Sequence, residues 1–142
     1  MIYLDTGCLL KLYYPEPNSA SVVAAVSGKV IVFTALHELE TMTALQLKRF
    51  RGEATAEQAE AAMRLVREDL ANSKLVPPPV NWPAVLHNAA KLARTHAASI
   101  GCRSLDVFHC ALALAMNANE FVSSDARQIA VATAMGLGVT VI

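Results

Sequence analysis

Charge is scarce in this chain and balanced where it occurs: 12 Lys and Arg face 12 Asp and Glu, and charged residues make up 17% of 142. That scarcity excludes a solvated, disordered chain. The balance removes the basic excess that usually marks nucleic-acid binding, so any such contact must rest on a local strip. Cysteine is also sparse. Cys8, Cys102 and Cys110 are odd in number and form no C-x-x-C pair, which argues against a disulfide framework or a zinc site and leaves buried thiols in a reducing cytoplasm. No apolar run approaches a membrane span, and Ile2-Tyr3-Leu4 follows Met1 with no basic leader, so a cytoplasmic protein without membrane contact is expected. The nucleophile elbow, the phosphate-cradling G-x-x-x-x-G-K and the dinucleotide G-x-G-x-x-G are all missing.

What the chain has in quantity is apolar side chain, 54% of residues. A length of 142 residues suits one domain over 1–142 with its own core. The apolar surplus calls for a cover, either a homodimer or a tightly held partner. Short β-branched runs at Ile2–Leu4, Val30–Phe33, Leu75–Val76, Glu120–Ser123 and Val139–Ile142 predict buried strands. Helical spacing predicts helices over Leu9–Tyr14, Ser19–Val26, Ala35 to near Gly52, Thr55 to Leu70, Trp82–Ala97, Ser104–Met116 and Asp125–Met135. Ser19, Thr55 with Gln58, and Ser104 are the expected caps. Strand and helix alternate, which predicts a central parallel sheet of four or five strands sandwiched between helices in a three-layer α/β/α architecture.

In such a sheet ligands gather at the carboxyl ends of the strands. Asp5 and Asp125 each follow an apolar strand there, although Asp125-Ala126-Arg127-Gln128 can equally be a helix cap. Glu40 lies on the apolar stripe of its helix with Leu36, Ala44 and Leu47, where a bare carboxylate needs a cation or donors, an ion pair being the plainer alternative. Glu38 faces another side. Asp106 sits three residues after Arg103 and three before His109; a helix-dipole or Arg103 pairing would also explain it, and His109 reads as a hydrogen-bonded helix residue. Taken together, four carboxylates favour a hard ion, Mg²⁺ or Mn²⁺, which can activate water for phosphodiester cleavage. Asp5-Thr6-Gly7 also matches the tripeptide of aspartic proteases, but those are β-rich enzymes and this chain alternates.

Four segments together resemble the PIN-domain family, in its VapC-type toxin branch. They are Ile2-Tyr3-Leu4-Asp5-Thr6, Thr34 to Glu40, Arg103-Ser104-Leu105-Asp106-Val107-Phe108-His109, and Phe121-Val122-Ser123-Ser124-Asp125. Their order and spacing carry the likeness across nearly the whole chain, with Gly7 where many relatives carry Ser and Ser123 where many carry Thr. The resemblance implies a metal-dependent endoribonuclease in which Asp5, Glu40, Asp106 and Asp125 hold the divalent ion and position water. It also implies inhibition by a small antitoxin protein. Thr6 and Ser123 are expected to offer hydroxyls to the acids, or to serve ordinary turn hydrogen bonds. Lys48, Arg49 and Arg51 are the expected RNA strip, or else a solvated helix end. The alternative function is a non-catalytic interaction module of the same fold, with its acids as caps and ion pairs.

Overall fold

The computed structural model describes residues 1–142, and its two cores follow from the alternation of side chains along the strands. In β1 (Tyr3–Leu4) and the residue before it, Ile2 and Leu4 face one core and Tyr3 the other. In β2 (Ile31–Val32), Ile31 shares the first core and Val32 the second, and in β4 (Phe121–Ser123), Val122 and Phe121 divide the same way. A strand buried on both faces needs no polar alternation, which is why these segments are apolar up to Ser123 at the end of β4.

The first core takes its cover from α1 (Thr6–Leu10), α2 (Ser19–Val26), α3 (Ala35–Phe50) and α4 (Ala56–Ala71), through Leu9, Val22, Leu45 and Met63. The second is covered by α5 (Trp82–Ile100), α6 (Ser104–Ala115) and α7 (Ala126–Ala134), through Val85, Leu112 and Val131. Helices on both faces of the strands make the expected α/β/α sandwich.

Every strand pairing is parallel. β1 lies beside β4, which lies beside β5 (Val139–Val141), while β2 pairs with β3 (Leu75–Val76). A single bridge between Ile2 and Ile31, with Ile2 N–H donating to Val30 O and Val32 N–H to Ile2 O, joins the two ladders. The spatial order is therefore β3-β2-β1-β4-β5, and the direction of chain progression reverses between β1 and β4.

Three helix starts differ from expectation, each for a local reason. α1 begins at Thr6 because the Asp5 carboxylate accepts the Cys8 N–H at 2.6 Å. Asn18, in the left-handed region, precedes α2, and the Ser19 hydroxyl accepts from Glu16 N–H instead of capping. Arg103 rather than Ser104 is the N-cap of α6, because Asp106 accepts its N–H at 2.7 Å. The Thr55–Gln58 capping box forms in both directions. Protease chemistry of the β-rich type finds no support here, since Gly7 lies inside α1. No helix is long and apolar enough to cross a membrane. Leu39, Leu47, Phe50, Leu86 and Leu105 are exposed.

His37 ties α3 to β1. Its Nδ1 accepts the Thr34 N–H at 3.0 Å, which fixes the proton on Nε2, and that N–H donates to Leu4 O at 2.9 Å. Burial, with His109 nearby, lowers the imidazole to about 3. The unfolded chain binds a proton here below about pH 6.5 and the folded one does not, so stability falls as pH drops from there towards the folded value. Urea denaturation at a series of pH values should show this acid-side slope in the wild type and a shallower one in His37→Gln; identical slopes would contradict a neutral, buried His37.

Candidate active site

Parallel strands deliver their carboxyl ends to one edge, and the reversal between β1 and β4 is the position at which open sheets of this kind bind ligands. Asp5 leaves β1, Ser123 ends β4, and Ser124 and Asp125 follow it, with Asp5 N–H donating to Val122 O. The two strands are neighbours, so residues more than a hundred positions apart meet. The Ser123 hydroxyl joins them: it donates to Asp5 Oδ2 through a short hydrogen bond and accepts the Asp125 N–H at 3.0 Å. Asp5 is 3% exposed; its other oxygen caps α1.

Asp125 caps α7, accepting from Arg127 N–H at 2.8 Å and Gln128 N–H at 3.3 Å with Oδ1. The capping role foreseen for it is thus realised, and it leaves Oδ2 facing Arg103 at 3.7 Å. Asp106, 1% exposed, opens α6. Burial alone would raise its carboxyl. The Arg103 N–H and guanidinium, with Arg127 further off, outweigh that and hold it below the usual carboxylate value. Three of the acids therefore sit at the starts of three helices, where the partial positive charge of the helix end also favours them.

Glu40 comes from the apolar stripe of α3, and its partners are neither Lys nor Arg. Its Oε2 accepts from the Thr6 hydroxyl at 2.6 Å and lies 2.7 Å from His109 Nε2. The Tyr3 phenol, kept protonated by burial and by the Glu40 charge, donates to His109 Nδ1 at 2.9 Å, so a neutral His109 carries its proton on Nε2 and gives that hydrogen bond to Glu40. Burial again pushes the Glu40 carboxyl up, and the His109 and Thr6 hydrogen bonds reverse the sign and lower it. Crowding of the acids is thus not what sets Glu40 and Asp106. Glu38 is exposed.

A cleft of about 340 Å³ is lined by Glu40, Arg103, Asp106, His109 and Gln128, among others. As the side chains stand, no three His, Cys, Asp or Glu residues come together closely enough to hold one ion, and Arg103 and Arg127 bridge Asp106 and Asp125 instead. The donor set still fits a hard divalent cation: it is built from carboxylate oxygens, and the thiols of Cys8 and Cys110 are pushed up to about 12, chiefly by burial, and stay protonated. Ion binding would require the two arginines to yield. Lys48, Arg49 and Arg51 lie at the far end of α3, roughly 12 Å or more along the axis from Glu40. There Lys48 contacts Glu16 at 2.5 Å and Tyr14, and Arg49 contacts Gln46 at 2.8 Å. Arg127 and Tyr3 escaped the sequence reading. An Arg two residues after a capping Asp was the available signal for the first; nothing local marks the second.

The PIN domain model matches residues 2–134. No curated protein matches the chain significantly. Among solved structures the chain is similar to FitAcB from Neisseria gonorrhoeae, at 19% identity and a TM-score of 0.62, over 98% of this chain and 96% of that one. It is similar to VapBC2 from Rickettsia felis bound to a DNA fragment from their promoter, at 17% identity and a TM-score of 0.62, over 99% and 98%. At such identities the likeness is one of fold.

The Tyr3–His109–Glu40 chain yields a direct test. Tyr3→Phe leaves buried His109 Nδ1 without its donor and should cost about 1–3 kcal/mol of unfolding free energy. Urea denaturation measures it, and an unchanged midpoint and slope would show that the hydrogen bond carries no stability.

Proposed function

The chain belongs to the PIN domain family, and from that premise and the site geometry we propose that it is a metal-dependent endoribonuclease, the toxin of a type II toxin–antitoxin pair. One observation carries the reading: Asp5 and Asp125 end the two strands that flank the reversal in strand order, and Ser123 ties them together. Asp106, delivered by α6, shares Arg103 with Asp125. Glu40, on α3, lines one cleft with Asp106 and Arg103.

In this reading Asp5, Glu40, Asp106 and Asp125 are the ligands of Mg²⁺ or Mn²⁺. The bound ion would supply Lewis acidity towards the phosphodiester and lower the pKa of its water. The chain's own residues hold the acids in place. Ser123 fixes Asp5 and the start of α7, Thr6 and His109 orient Glu40, and the Arg103 N–H and guanidinium hold the Asp106 carboxyl below its usual value against the effect of burial. Likeness to VapBC2 and FitAcB supports a small antitoxin as partner. The exposed Leu39, Leu47, Leu86 and Leu105 offer apolar area for that partner or for a homodimer.

The competing reading, a non-catalytic interaction module, is favoured by one observation: every acid of the set already has a hydrogen-bonding partner inside the chain. Purified, partner-free protein separates the two. With Mg²⁺ or Mn²⁺ it should cut total cellular RNA and gain thermal stability, EDTA should abolish both, and Asp5→Asn should lower the rate by about 100-fold or more. Folded protein that neither cuts RNA nor gains stability with either ion would favour the interaction module.

A further inference from the structure

Arg103, preceding α6, and Arg127, in the first turn of α7, reach the acids from two different elements. Arg103 Nε lies 3.3 Å from Asp106 Oδ2 and its Nη2 3.7 Å from Asp125 Oδ2. Arg127 Nε lies 3.9 Å from Asp106 Oδ2 and 3.7 Å from Asp125 Oδ1. Each guanidinium thus spans both carboxylates, although the acids stand on different helices. Most of these separations are too long for good hydrogen bonds, and the side chains are 64% and 44% exposed. Loose, solvated pairs of this kind are held weakly and can swing away. The two positive charges match the two negative ones, so an incoming divalent cation competes with them directly. Beside them Gln128 is buried, lines the cleft, and its Oε1 has no hydrogen-bond partner. A polar acceptor left this way calls for a donor that the chain does not supply, such as water on a hydrated ion.

We propose that Arg103 and Arg127 alternate between two anions: they neutralise Asp106 and Asp125 while the site is free of metal, and contact the RNA backbone phosphate once a divalent cation takes the carboxylates. They are substrate-positioning residues as well as the site's internal counter-ions. This rests on the nuclease reading. It also resolves how a chain of zero net charge meets a polyanion, because the released guanidiniums appear where the phosphate must sit. Arginine suits the role, since its planar fork pairs with carboxylate and phosphate alike.

Calorimetric titration of Mn²⁺ into wild type, Arg103→Gln, Arg127→Gln, the double variant and Asp5→Asn tests the first half. Each single Arg variant should bind Mn²⁺ about threefold tighter, the double variant tighter still, and Asp5→Asn more weakly. Steady-state cleavage of a single-stranded RNA tests the second. Its KM should rise in each Arg variant, and the slope of log KM against log salt should fall by about 0.7 per arginine, with Arg127→Lys keeping the wild-type slope. The Lys48→Gln, Arg49→Gln, Arg51→Gln triple variant is the comparison for general charge loss and should leave Mn²⁺ affinity unchanged. Circular dichroism confirms that each variant is folded. Equal Mn²⁺ affinity in wild type and Arg variants, with Asp5→Asn still impaired, would overturn the exchange of anions while leaving the nuclease reading intact. Mn²⁺ binding by none of the proteins, the double variant included, would overturn both. Binding by the double variant alone would support the arginines as the groups that close the site.

Discussion

Two carboxylates, Asp5 and Asp106, are almost wholly removed from solvent at one edge of the sheet, and the arrangement around them follows from the need to compensate that burial. An isolated buried charge is strongly disfavoured unless donors or cations replace its water. Here the donors are backbone N–H groups at helix starts, the Ser123 hydroxyl and two arginines. The backbone donors are local, but the Ser123 and Arg127 contacts depend on the order of the strands. Were β4 not beside β1, Ser123 could not reach Asp5, and Asp125 would cap α7 far from Asp106. The acids are held because the fold places three helix starts together, and each helix start is in turn completed by the acid it holds.

The acid flank divides its contacts between the two oxygens of a side chain. A capping carboxylate commits one oxygen to the backbone and leaves the other available, as Asp125 does with Oδ1 on α7 and Oδ2 towards Arg103. The proposed ligation of an ion by Asp125 is therefore compatible with its capping of α7. On the other flank, Glu40 is steered by a hydrogen-bond chain running back through His109 to Tyr3 in β1. Arginines pair with the acids on one flank, and hydrogen bonds from Thr6 and His109 position Glu40 on the other.

Much of this was legible in the residues because it is local. The apolar runs marked the strands, the Thr55–Gln58 box marked the start of α4, and alternation marked the parallel sandwich. The start of α1 was misread for an instructive reason: Asp5 was weighed as a strand-end acid and not also as the cap of the helix that follows. Ser104 looked like the better cap of α6 on residue type, yet the Asp106 side chain reaching back to Arg103 N–H shifted the cap by one position. The contacts of Tyr3 and Arg127 were out of reach, since one needs the register of β1 against α6 and the other needs α6 and α7 side by side. Such proximity is set by packing across the sheet and leaves no mark within a short window.

In the proposed site the carboxylates of Asp5, Glu40, Asp106 and Asp125 share a divalent ion once the arginines withdraw. A crystal structure of the protein soaked in Mn²⁺, with anomalous scattering measured at the manganese edge, tests it most directly. A peak among these carboxylates, with Arg103 and Arg127 turned out of the cleft, is the predicted result. Clean density for arginines still bridging Asp106 and Asp125 at saturating Mn²⁺, with no anomalous peak beside them, would contradict it.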